Sequence, residues 1–169
     1  MTPREITLSA LFIALGLAVP VLFHAVGLGS TFLPMFLPIL AAGLMMRPFL
    51  AGLIGVMTPM LSAVVTGMPP LAPPIAPIMS AEGLALGALS SICYRRLGWH
   101  VHLSALAAVC LQRLVMASLM ALLAPFFGIP PFLAAFGALL KGVPGVGLLV
   151  IAVPCLVKRL EPILERTRT

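Results

Sequence analysis

The chain has 169 residues, of which 62% are hydrophobic and 8% charged, with a net charge of +6. A soluble domain carries about 25% charged residues, so this composition excludes a water-soluble fold. At about 20 apolar residues per spanning helix, it leaves room for roughly six spans and for no separate nucleotide-binding or catalytic domain.

The first predicted span covers about 5–26, an apolar run (LSALFIALGLAVPVLF) kinked at Pro20. Such a kink is tolerated where neighbouring helices satisfy the freed carbonyl. Arg4 ahead of an apolar run imitates a signal peptide, but the polytopic remainder reads as a retained first helix. After a short turn at 27–31, a second helix is predicted over 32–46, with Pro34 and Pro38 near its start and Arg47-Pro48 ending it. A third covers 49–66, with Pro59 inside. The fourth, fifth and sixth cover 75–94, 103–127 and 132–157, the last interrupted by glycines and Pro144 between Gly142 and Gly147. The reading is one integral membrane domain over 1–169, all-α, without internal repeats.

Between the third and fourth spans, the stretch from Gly67 to Glu82 reads GMPPLAPPIAPIMSAE and holds five of the 17 prolines: Pro69, Pro70, Pro73, Pro74 and Pro77. Proline fixes φ, removes a donor and pushes the preceding residue toward extended backbone, so no continuous helix crosses 69–74. The segment lacks the Gly/Ser softness of a flexible linker. It reads as a stiff apolar strap. It would serve either as a lid, which loses little chain entropy on closing, or as a fixed plug on the helix ends.

The charges orient the chain. Of ten Lys and Arg residues, eight fall at helix ends or tails on one side: Arg4, Arg47, Arg95, Arg96, Lys158, Arg159, Arg166 and Arg168. The turns 27–31, 67–74 and 128–131 carry no charge. The positive-inside rule then puts both termini in the cytoplasm and those turns outside, which requires an even number of spans.

Three charges remain inside spans: Glu82, Arg113 and Lys141. Intramembrane charges cost a few kcal/mol each on insertion scales and face the bundle interior, where they pair or serve a function. From the helical rise, all three can approach one cavity in the outer half. Gln112 neighbours Arg113 but points about 100° around the helix. One reading is a structural Glu82–Arg113 ion pair. The other is a ligand site, where two cations against one acid favour a carboxylate or other acidic group. A zwitterion or an amide-rich ring also fits.

Other signals are bland. Cys93, Cys110 and Cys155 lie in apolar helical stretches and read as small buried packing residues, not a disulfide framework. His24 near the outer end of the first span either packs or hydrogen-bonds a ligand. His100 and His102 lie at the opposite end, so the three histidines make no metal site, and no cofactor is expected. The methionines read as filler, and Tyr94 and Trp99 as interface anchors. No phosphate loop, zinc motif or nucleophile–base set is present, so an enzyme is not expected. Ala51 and Gly55, and Gly83, Gly87 and Ser91, give two helices faces for close internal packing. Ala10, Ala14 and Ala18 give the first span such a face as well.

Taken together, REITLSALFIALGLAVP, FLPMFLPILAAGL with TPMLSAVVTGMPP, and KGVPGVGLLVIAVPCLVKRL resemble the S components, the substrate-binding subunits of energy-coupling factor (ECF) transporters. The resemblance spans nearly the whole chain. It implies a six-helix bundle with cytoplasmic termini in a prokaryotic plasma membrane. It also implies a vitamin or related micronutrient bound under the external loops, and partnership with a transmembrane coupling subunit and two ATPases. Ala10 and Ala14, repeated by Ala14 and Ala18, match the alanine motif that docks the coupling subunit. The pocket would hold Glu82, Arg113, Lys141 and His24 beneath the strap, with Met68 and Pro69 upon it. Nickel and cobalt members carry histidine as the second residue, where this chain has Thr2, so metal uptake is not expected. The alternative reading is an autonomous proton- or ion-coupled transporter with Glu82 as the carrier.

Overall fold

The structure, a computed structural model, describes residues 1–25, 27, 32–72, 74–128 and 130–166. Residues 28–31 of the expected turn at 27–31, Pro73 and the last residues of the basic tail lie outside the described residues, as does the Lys141 side chain. All regular structure among the described residues is helical. The order is α1 (Pro3–Ala25), α2 (Phe36–Met45), α3 (Pro48–Thr66), α4 (Ile75–Ser91), α5 (Val101–Leu123), α6 (Pro131–Lys141) and α7 (Val143–Arg166). A π turn, Ile92–Arg96, extends α4, and a 3-10 turn, Ala124–Phe127, extends α5. Five helices are long and apolar enough to cross a membrane: α1, α3, extended α4, extended α5 and α7. This is an all-α membrane protein.

Two predicted helices are redrawn by proline. The second, expected from 32, begins at Phe36, because Leu33 takes a left-handed φ of 53° and Pro34 follows it. At ten residues, α2 is about 15 Å long, half the hydrocarbon thickness. The sixth, expected as one helix over 132–157, is two. α6 ends at Lys141, and Pro144 then occupies the first turn of α7, where its missing N–H costs no hydrogen bond.

Short α2 is the hub. Its residues Phe36, Ile39, Leu40 and Leu44 are almost wholly buried, as expected of a helix that is apolar all round. α3, α4, α7 and α1 pack around it. The closest pairing is α3 with α4, where small residues let backbone meet backbone. A Cβ on Gly55 would run into the carbonyl of Gly83, and one on Gly87 into the carbonyl of Ala51. The small-residue faces of these two helices are therefore internal, as the sequence predicts. α1 is held more lightly. It buries only Phe12, Gly16 and Pro20, with Gly16 seated against Thr58 of α3.

The basic helix ends gather at one end of the bundle. Arg47 pairs with Glu5 at 2.8 Å, Arg95 donates to the Met45 carbonyl at 2.8 Å, and Lys158 lies 3.4 Å from His100. At the opposite end, Gly67 (φ 74°) ends α3 in a left-handed cap, and residues 68–72 and 74 of the strap are non-helical. The strap is tied down at its start. Ser62 on α3 donates its hydroxyl to the Met68 carbonyl at 2.6 Å, and Thr66, one helical turn on, divides its hydroxyl between the Ser62 carbonyl at 2.8 Å and the Met68 carbonyl at 3.1 Å.

Candidate functional site

Glu82 on α4 and Arg113 on α5 meet in the bundle interior. Each is nearly sealed from solvent, with 1% and 8% exposure. Arg113 donates through Nη2 to Glu82 Oε2 at 2.9 Å. Gln112, fully buried, donates through Nε2 to the same oxygen at 3.1 Å. Sequence periodicity had turned Gln112 away from its neighbour. A 100° separation does not keep two long side chains apart when the helix facing them presents its carboxylate between them. The one signal that could have found Gln112 is its chemistry: an amide within an apolar span needs a polar partner.

The guanidinium is only partly spent. Arg113 Nε and Nη1 are buried and find no hydrogen-bond partner among the described residues, and the same holds for Gln112 Oε1. A buried charged donor without an acceptor costs a few kcal/mol, so among the described residues these N–H groups are the most strongly unsatisfied feature of the interior. The space they occupy depends on the break between α6 and α7. Gly142 lies against the guanidinium so closely that a Cβ there would stand 2.7 Å from Nη1.

Arg113 and Gly142 also wall a cavity of about 590 Å³ that reaches up to the strap. Clefts of roughly 300–1,000 Å³ take small organic molecules. Its sides include Pro20, Val21 and His24 of α1, and its roof includes Met68, Pro69 and Pro70. Leu33, in its strained left-handed conformation, lines the wall too. The Ser62 and Thr66 hydroxyls border the cavity but point their protons at the backbone carbonyls of Met68 and Ser62.

Of the residues singled out from sequence, His24, Met68, Pro69 and Arg113 thus share one cavity. Glu82 stands behind Arg113. Lys141 ends α6 immediately before Gly142, with its side chain outside the described residues. Ala10, Ala14 and Ala18 are all exposed. They lie about 200° around α1 from the buried Phe12, Gly16 and Pro20, since two residues separate each pair. The cysteines do not all pack inward as expected: Cys93 is buried, but Cys110 and Cys155 are exposed on the outside of the bundle. A thiol behaves as a small apolar group, so an outward position in an apolar span is no conflict. Among the described residues, no group of three or more His, Cys, Asp or Glu side chains is placed to hold a metal ion.

The family model for the ECF transporter substrate-specific component matches residues 4–157. The match covers most of the chain, and the protein belongs to that family. It is a multi-pass membrane protein and a transport subunit, not a catalytic enzyme. No curated protein matches it, and no solved structure does.

Proposed function

We propose that this S component captures a small organic micronutrient, a vitamin or cofactor precursor, from outside a prokaryotic cell. The capture site is the cavity beneath the proline strap. The observation that carries this reading is the coincidence of a 590 Å³ cavity with a buried Arg113 on its wall whose Nε and Nη1 have no partner among the described residues. Arg113, His24, Met68 and Pro69 serve as its polar pole and its rim, with Glu82 behind Arg113 and Lys141 added from the neighbouring helix end.

In this reading the end that holds Arg47, Arg95 and Lys158 is cytoplasmic, by the positive-inside rule, and both termini lie there. Six crossings follow if α2 counts as the second, short one and α6 as an elaboration on the outer side. The chain forms one domain. Ala10, Ala14 and Ala18 dock a transmembrane coupling subunit. That reading is supported by their exposure on a helix that otherwise buries so little. Two partner ATPases supply the energy, and the sequence carries no phosphate-binding loop of its own.

The test is to isolate the chain in mild detergent, denature it and identify what it releases by mass spectrometry. A stoichiometric small organic molecule is expected. Its absence, from cells grown in rich and in defined medium alike, would refute the capture reading.

A further inference from the structure

We infer that the captured molecule is an organic acid with an apolar body, its carboxylate held by Arg113, with Glu82 and Gln112 acting as positioning residues behind the guanidinium. The inference rests on the proposed function, because it takes the cavity to be the capture site.

Four observations converge. The ionisable groups on the described wall are Arg113 and His24, and no acid is among them. Glu82, at 1% exposure, influences the cavity only through the guanidinium it holds. Second, Arg113 borders one pole of the cavity, and its unpaired donors lie sealed just behind that wall, where a small shift of the guanidinium would present them. Nε carries one N–H and Nη1 two, and none has an acceptor among the described residues. Third, the hydroxyls at the other pole, Ser62 and Thr66, have given their protons to backbone carbonyls, those of Met68 and Ser62, so they do not compete for the same acceptor. Fourth, much of the wall is apolar, with Leu17, Pro20, Val21, Met79 and Met116 among its residues.

A ligand that fits this pattern brings acceptors to one end and apolar surface elsewhere. A carboxylate brings two oxygens to a forked donor set, the pairing for which arginine is best shaped. An amine would set a cation against a cation. A primary amide would offer one acceptor and turn its NH₂ toward donors. The charge count agrees: Arg113 and Lys141 stand against Glu82 in the segments that meet here, and Glu82 Oε2 is shared between Arg113 and Gln112.

This assignment gives Glu82 a role that can be told apart from direct contact. As a counter-ion it partly neutralises Arg113, so Glu82→Gln leaves the guanidinium more positive and the acid binds as tightly or more so. As a direct acceptor for a ligand cation, the same change would abolish binding.

The experiment starts from the molecule released by the denatured wild-type chain, which then serves as the probe, alongside its amide-capped form. Binding is measured by calorimetry to full-length wild type, Glu82→Gln, Arg113→Gln and the Glu82→Gln/Arg113→Gln pair. The last variant guards against misfolding of the single Arg113 variant, since it buries no lone charge. The released molecule is expected to carry a carboxylate. Loss of the charged hydrogen bonds should weaken it about 100-fold in both Arg113 variants and on amide capping, while Glu82→Gln retains full affinity. A released molecule with no acidic group, or one bound equally well by the double variant, overturns the acid assignment and leaves the capture site standing. Loss of binding in a folded Glu82→Gln chain overturns the positioning role. Release of no molecule overturns the capture reading itself.

Discussion

The Arg113 guanidinium gives one nitrogen to Glu82 Oε2, 2.9 Å away, and lays another against Gly142, where even a methyl group would come within 2.7 Å. One side chain thus links α4, α5 and the break between α6 and α7. Its structural role and its proposed ligand-binding role can be separated by mutation.

Arg113→Gln should be the more harmful single change to stability. It leaves Glu82 buried, with only Gln112 to oppose its charge, and breaking a buried pair costs about 3–5 kcal/mol. The Glu82→Gln/Arg113→Gln pair should recover most of that loss. Thermal unfolding of the purified chains in detergent checks the order: wild type and double variant close together, single Arg113 variant well below.

Gly142→Ala tests the other half. The methyl group meets the far end of a flexible side chain, so the fold should survive with little change in melting temperature. Displacing Nη1 by a few tenths of an ångström should still change how the guanidinium is presented to the cavity. A fall in ligand affinity of about tenfold is expected, equivalent to about 1.4 kcal/mol, measured by titration of the molecule the wild type carries.

Gly55→Ala and Gly83→Ala should behave differently, because there the new atom meets backbone rather than a side-chain tip. Overpacking typically costs about 1–3 kcal/mol, and helix backbones cannot swing aside as a guanidinium can. The expected result is a loss at or above that range, read as a poorer yield of monodisperse protein on size exclusion and a lower melting temperature.

Replacing Ala10 and Ala14 together by Phe should leave folding and ligand binding intact, since both side chains are exposed and face away from Gly16 and Thr58. Co-purification with a coupling subunit and its ATPases should be lost. An assembly that forms normally with both phenylalanines would remove α1 as the docking face.

Ser62→Ala with Thr66→Val releases the Met68 carbonyl from both hydroxyls. Each such bond contributes about 1 kcal/mol net. If the strap closes the cavity, the looser strap should raise the ligand dissociation rate several-fold and change the association rate less. Stopped-flow measurement of both rates distinguishes this from a plug whose loosening leaves exchange unaffected.

The pairing of Glu82 with Arg113 was legible in the chain because an apolar span makes every charge conspicuous and every charge needs a partner. The close seating of Gly55 on Gly83 was legible for a similar reason: small residues four apart are a surface that another helix can approach. Gln112 was not, since helical phase gives the direction of Cα–Cβ and not the reach of a long side chain. The hydroxyl clamp on Met68 was also hidden, because it depends on how the chain turns after Gly67.

What the sequence determined by itself is the solvent and the punctuation. Composition placed the chain in a membrane, and proline and glycine marked the strap and the interruption after Gly142, because those residues act through their own backbone geometry. Tertiary structure alone decided that Arg113 would have donors to spare and a cavity to spend them in. That outcome depends on Glu82 approaching from one side and Gly142 from another, two contacts made by segments about 30 residues away in either direction along the chain.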